Sequence, residues 1–230
     1  MQRWVNTEEV NCEPTQEAEF HDWYQKVHVP RMFSTANYSG VKQFEAKEAR
    51  DGRGRFLSVY DLEAEAVDSR LTQSQPITQS DLVTPIWQNV FWRETSEHRA
   101  SDFQKSSLQR WLMVVEVHAA PSREAEFTEW YDNMHVPDVL KTPGYVAARR
   151  YEIRDRHDGR GKYLALYYLD TNDIDQSVKG RRAKREIEEQ LGRSSTSRKE
   201  LTIKVWRNVL WKEIYRCSNK DNAGGGFFPD

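Results

Sequence analysis

Two histidines close two nearly repeated stretches, EAEFHDWYQKVHVP over residues 17–30 and EAEFTEWYDNMHVP over residues 124–137. In each, a tyrosine stands four positions earlier, Tyr24 before His28 and Tyr131 before His135. At helical spacing two such side chains share a face. Histidine exchanges protons near neutral pH, so an imidazole beside a phenol at the edge of an apolar stripe is a candidate general acid–base pair. Phe127, Trp130 and Met134 supply the stripe in the second copy. A histidine at a helix end can equally bond a terminal carbonyl, and the spacing leaves both roles open. Around His135 and Tyr131, the hydroxyls of Tyr145, Tyr151 and Tyr167 could line a cavity and donate to developing enolate or phenolate charge, although strand aromatics also serve as plain core. Glu116 and His118 alternate onto one face of a strand, where they could orient a base or hold a polar substrate, or simply meet solvent. Arg149 and Arg150 point to opposite faces, so one of them can meet an anionic group. Trp130 would give an aromatic ligand an apolar wall.

These residues need elements to place them. Residues 3–60 align with 110–167 without a gap, pairing Tyr38 with Tyr145, Glu45 with Glu152, Asp51–Gly54 with Asp158–Gly161 and Tyr60 with Tyr167. After a slip of register, WQNVFWRE from Trp87 meets WRNVLWKE from Trp206. In the second half, residues 111–118 read as a strand, Ser122 as an N-cap, and residues 124–135 as an amphipathic helix that Pro137 should end. Residues 145–153 and 162–169 are strands joined across the Asp158–Gly161 hairpin. Residues 174–191 are a polar helix, and residues 202–214 a last strand. The order is βαββαβ. The first half repeats it, with poor helix formers around residues 74–85. The fold class is therefore α+β: two tandem ferredoxin-like modules, whose bare sheet faces would bury one another in an intramolecular dimeric α+β barrel. The expected division is residues 1–96, a linker at 97–109, residues 110–215 and a flexible tail at 216–230.

Composition narrows the partners. With 230 residues, a formal net charge of -2 and 27 aromatic residues (8 Trp, 10 Tyr, 9 Phe), the chain carries no electrostatic footprint for nucleic acid or an anionic membrane. The basic run 179–185 is followed at once by Glu186, Glu188 and Glu189, which reads as a solvated mixed-charge helix. Two cysteines, Cys12 and Cys217, form no disulfide framework, and no apolar run spans a bilayer, so a reducing, cytoplasmic location is expected. His118, His135 and Glu116 lack metal-ligand spacing, and no metal is expected. The Asp158–Gly161 loop joins strands and is not a phosphate loop.

The pattern E-F-x-x-W-Y-x-x-x-H-V-P, with the Pro143-Gly144 turn, the Arg-Tyr strand and the D-G hairpin, resembles the EthD-like branch of the dimeric α+β barrel superfamily, and two copies cover nearly the whole chain. The resemblance implies that fold. It also implies a range of activities: cofactor-free decarboxylases, polyketide cyclases, oxygenases and isomerases, haem proteins, and stress proteins without known chemistry. The copies differ. Pro143-Gly144, Asp138 and Tyr151 stand where the first half has Ala36-Asn37, Arg31 and Phe44, and the opening strand of the second half is the apolar one. The second half is thus expected to hold the active pocket, with His28 and its surroundings as scaffold.

The leading expectation is a lyase, cyclase or decarboxylase that needs no organic cofactor and acts on an aromatic or polyketide-like small molecule. His135 would be the acid–base, Tyr131 its neighbour, and Tyr151 or Tyr167 the hydroxyl donor. The alternatives are a non-catalytic binding or stress-type protein and a haem-dependent or other oxygenase of the same superfamily. Whether the two-domain unit forms a homodimer is left open.

Overall fold

The computed structural model describes residues 1–35, 38–48, 52–65, 67, 81–104, 110–155, 161–191 and 198–219. The chain folds as two compact units, residues 1–94 with 211–230 and residues 95–210. The fold is α+β, and each unit has the ferredoxin-like strand order.

In the first unit, β1 (Gln2–Asn11) leads through a 3-10 turn into α1 (Glu17–Trp23), which continues as a π-helical turn over Tyr24–His28 and then as α2 (Val29–Thr35). Strands β2 (Tyr38–Ala46), β3 (Phe56–Ala64) and β4 (Thr84–Arg99) follow. Pairing is antiparallel throughout: β1 lies between β3 and β4, and β2 lies beside β3. The outer edge of β2 is taken by residues 211–218 of the last strand, β8 (Thr202–Ser218).

The second unit repeats the plan with β5 (Trp111–Ala119), α3 (Glu124–Trp130), a π turn at Tyr131–His135, α4 (Val136–Val139), β6 (Tyr145–Ile153), β7 (Tyr163–Leu169) and α5 (Ile174–Gln190). Its strand order is β8-β5-β7-β6, with the end of β4 beyond β6. The α5 helix starts on Asp173, whose carboxylate accepts from the Gln176 N–H at 2.9 Å. The expected helix near residues 74–85 falls largely outside the described residues.

Several boundaries differ from the sequence reading. Ser122 lies in a 3-10 turn, and the residue before α3 is Arg123, which makes no side-chain cap. Neither Pro30 nor Pro137 ends its helix. A proline removes one N–H and crowds the carbonyl four residues back. Here the preceding turn widens instead: Val29 N–H donates to Tyr24 O and Val136 N–H to Tyr131 O, each five residues back. Strand β4 runs through Arg99, into the stretch expected as linker, because the unit boundary lies within the strand. Likewise β8 carries ordered pairing through Ser218, past the expected end of the second module, and its last residues pack with the first unit.

Each core lies between the helices and one sheet face. In the first unit this face carries Trp4, Val10, Tyr38, Val41, Phe56, Tyr60 and Leu62, packed on Phe20, Tyr24, Val29, Met32 and Phe33. In the second, Val117, Tyr145, Ala148, Tyr163, Ala165, Tyr167 and Leu169 pack on Phe127, Trp130, Tyr131, Val136 and Val139.

Candidate functional site

The π turns place the tyrosine and histidine of each copy over the helix-facing side of its sheet, and register then decides what they meet. In an antiparallel ladder, directly paired residues share a face. In the first unit Glu8 pairs with Ser58, Ser58 with Gln43 and Gln43 with Tyr215, forming one polar row across β1, β3, β2 and β8. The adjacent row is Asn6, Tyr60, Val41 and Cys217. In the second unit the equivalent rows begin Val115, Ala165, Arg150 and Met113, Tyr167, Ala148.

The first unit therefore buries a connected polar cluster under its helix. His28, 5% exposed, brings Nε2 to 3.2 Å from Oε2 of Glu8, itself 2% exposed. Trp23 stacks on the imidazole at 5.2 Å, and the Tyr24 ring lies 5.2 Å from it on another side. The Tyr24 hydroxyl donates to Ser58 Oγ at 2.6 Å and lies 2.9 Å from the Tyr60 hydroxyl. The Tyr38 hydroxyl accepts from Asn6 Nδ2 at 2.9 Å. The same amide reaches Oδ1 of Asn89 at 3.4 Å, a residue with φ of 52°. Burial, with the Glu8 charge adding to it, pushes the phenols of Tyr24 and Tyr38 well up. Tyr60 rises too, through burial and then the neighbouring Tyr24 and Glu8. These hydroxyls are donors that keep their protons.

In the second unit the Tyr167 hydroxyl donates to that of Tyr131 at 3.0 Å, and the His135 ring packs 4.6 Å from Tyr131 and 4.9 Å from Trp130. No carboxylate stands where Glu8 does, because that position is Val115. The Tyr145 hydroxyl points to the Met113 sulfur at 3.7 Å, and burial pushes its pKa up to about 12. Burial raises Tyr131 and Tyr167 as well, but Arg150 and Arg181 pull both back. Arg150, 2% exposed, lies over the Tyr131 ring at 4.4 Å and donates to Asp132 Oδ2 at 2.6 Å. Oδ1 of Asp132 accepts from Ser96 Oγ at 2.5 Å and lies 3.1 Å from His98 Nε2. Burial would raise the Asp132 carboxyl, but Ser96, Arg150 and His98 together hold it below the usual carboxylate range.

The remaining expected site residues are distributed by strand alternation. Tyr131, Tyr145, Tyr167, Trp130, His135 and Arg150 come together on the helix side. Tyr151 pairs with Leu164, on the opposite face from Tyr167, so it is not a hydroxyl donor to the Tyr131 cluster. Glu116 also pairs with Leu164 and faces away from His135. It accepts from the Gly161 N–H at 3.3 Å, while His118 Nδ1 accepts from the Lys162 N–H at 3.3 Å. The first unit has the same latch: Glu9 accepts from Gly54 N–H at 3.1 Å, and Asn11 from Arg55 N–H at 2.7 Å. A Cβ at Gly54 would come within 2.8 Å of Val10 N, and one at Gly161 within 2.6 Å of Val117 N. The second glycine of each D-G-R-G stretch is thus required by close backbone approach. Glu116 and His118 hold a hairpin against its neighbouring strand, which is structural work.

Glu8 was missed by the sequence reading. The signal was available: Trp4, Asn6, Glu8 and Val10 alternate onto one face, so a carboxylate and an amide interrupt an otherwise apolar stripe. Among the described residues no group of three or more His, Cys, Asp or Glu side chains could hold a metal ion, and no helix is long and apolar enough to cross a membrane.

No protein-family model and no curated protein sequence matches the chain. Solved structures do. A Fusobacterium nucleatum protein described as a candidate monooxygenase superposes with a TM-score of 0.60, at 12% identity, over 95% of each chain. An anthrone oxidase-like protein gives 0.59 at 8% identity, over 94% of this chain and 93% of its own. A chlorite dismutase variant from Candidatus Nitrospira defluvii gives 0.57 at 8% identity, over 93% and 91%. At such identities the likeness is one of fold, and the fold is that of the dimeric α+β barrel proteins.

Proposed function

We propose that the chain is an enzyme of the EthD-like branch that moves a proton on an enolisable aromatic or polyketide-like compound, with its chemistry in the first unit. The single observation that carries this is the buried contact between His28 and Glu8, on the face that also holds the Tyr24, Tyr38 and Tyr60 hydroxyls. A carboxylate that holds an imidazole at Nε2 fixes its tautomer and orientation, and Nδ1 is then the nitrogen that exchanges the substrate proton. The enolate or phenolate formed would be met by phenols that burial keeps protonated. The enolate could attack a second carbonyl of the same molecule and take a proton on the new alkoxide, which is the cyclase outcome. A β-keto carboxylate bound at the same phenols would instead lose carbon dioxide to give that enolate, which protonated His28 would quench at carbon, the decarboxylase or lyase outcome. Placing the chemistry here moves the acid–base role from His135 to His28 and leaves Tyr131 and Tyr167 as the equivalent pair in a unit without the carboxylate.

The test is deuterium exchange into a panel of anthrones and enolisable aryl ketones, followed by mass spectrometry. His28→Ala and Glu8→Val should each slow exchange by about 100-fold or more, whereas His135→Ala should leave it near the wild-type rate. A folded His28→Ala protein that exchanges as fast as wild type sinks the reading, and leaves a binding or stress-type protein in its place.

A second reading is favoured by the neighbours described as a candidate monooxygenase and as anthrone oxidase-like: the same anion would react with dioxygen. Oxygen consumption accompanying turnover separates it from the lyase and cyclase outcomes.

A further inference from the structure

The row that holds Glu8 and Ser58 continues to Gln43, and this residue has no task yet. Its side chain is 0% exposed, and neither Oε1 nor Nε2 has a hydrogen-bond partner among the described residues. Buried amides are almost always bonded, because leaving donor and acceptor unmet forfeits their hydration with nothing in return. An amide unmet at both ends, in the row that carries the acid–base pair, is a site waiting for a molecule that presents complementary groups. One row away, Oδ1 of Asn6 is also buried and without a partner, although its Nδ2 is bonded to Tyr38. The equivalent of Gln43 in the second unit is Arg150, whose guanidinium is bound to Asp132, so the feature belongs to the first unit.

We propose that Gln43 is the substrate-orienting residue of the first unit, and that it selects compounds carrying a carbonyl with a hydroxyl beside it. Nε2 donates to the carbonyl oxygen, and Oε1 accepts from the neighbouring hydroxyl. A primary amide offers these two functions side by side and in fixed order, which matches a peri-hydroxy aryl ketone or an enolised 1,3-dicarbonyl and mismatches a bare ketone. The carbonyl so held is the one conjugated to the carbon that loses its proton to His28, which is C10 of an anthrone or the carbon between the carbonyls of a 1,3-dicarbonyl, so the donor from Gln43 strengthens as negative charge builds on oxygen. Gln43 is shut off from solvent, which makes the pairing selective, since an unmatched polar group there stays unmatched.

This inference rests on the acid–base reading of the same site, and one pair of probes separates the two. Binding of 1,8-dihydroxyanthrone and of unsubstituted anthrone is followed by tryptophan fluorescence in wild type and in Gln43→Leu. Wild type should bind the dihydroxy compound at least about tenfold tighter. Gln43→Leu should bind both alike and melt no lower than wild type, because an apolar group of similar size replaces an unmet amide. Equal binding by wild type, no binding of either probe, a preference retained in Gln43→Leu, or a melting temperature lowered by several degrees in that variant each overturns the proposal. Equal binding together with exchange lost in His28→Ala would remove the Gln43 anchor and leave the acid–base reading standing. A clear preference with exchange unaffected in His28→Ala would do the reverse.

Discussion

The two units share a scaffold and differ in what it holds. Both use a π turn to carry a tyrosine and a histidine over the sheet, both hang a hairpin glycine on a strand glutamate, and both link two phenols at that junction, Tyr24 with Tyr60 and Tyr131 with Tyr167. The rows beneath diverge at four positions: Asn6 against Met113, Glu8 against Val115, Ser58 against Ala165, and Gln43 against Arg150. The first unit thereby gains a buried carboxylate that raises its phenols further, and the second gains an arginine that offsets their rise. What is buried beneath the helix is set by the strand residues that face it, since the helix motif is nearly the same in both units.

That contrast can be broken in order of expected effect. The largest change should come from Glu8→Val, which gives the first unit the residue of the second and should cost about 100-fold or more in proton exchange, against little or no change for His135→Ala. Arg150→Met should cost about 3 kcal/mol in urea unfolding, since it strips a buried partner from Asp132. The equivalent Gln43→Leu should cost nothing. Gly54→Ala and Gly161→Ala should each lose about 1–3 kcal/mol, and by similar amounts, because the latch is common to both units.

Two smaller effects are pH-dependent. Asp132 has a folded pKa below its unfolded value, so its contribution is complete above the unfolded pKa of about 4 and is lost as pH falls through the folded one. The stability deficit of Asp132→Asn should therefore be full at neutral pH and shrink in acid. The buried tyrosines have the opposite sign: the unfolded chain ionises near about pH 10 while the folded phenols stay protonated. Stability should decline from there upward, with buried tyrosinate absorbance appearing together with unfolding.

Much of the frame was legible. Self-alignment exposed the duplication, strand alternation and the D-G-R-G hairpin fixed the βαββ order, and i, i+4 spacing brought Tyr131 to His135. Glu116 and His118 did share a face, but spacing could not tell that the face was turned from the helix. Tyr151 failed for a related reason: a bulge between Tyr145 and Ala147 shifts the alternation of β6, so counting from Tyr145 puts Tyr151 on the wrong side. The preference for the second unit came from treating polar residues in β1 as a departure from a strand pattern. Their alternation places Asn6 and Glu8 on the inner face, beneath the helix, where the proposed site lies. Gln43 gave no signal at all, since an amide in a strand is unremarkable until its burial and its missing partners are seen together.

The long strand β8 gives up residues 202–210 to one unit and 211–218 to the other, and Tyr215 on its far end stands in the same row as Gln43. The first unit is therefore discontinuous in the gene, with its last strand encoded after the whole of the second. Recombination that exchanged the first half as a cassette would deliver a first unit without its β8 edge, and a stop codon just before residue 211 would damage the first copy before the second. The duplicated halves can drift apart in chemistry, yet neither can be inherited without the other.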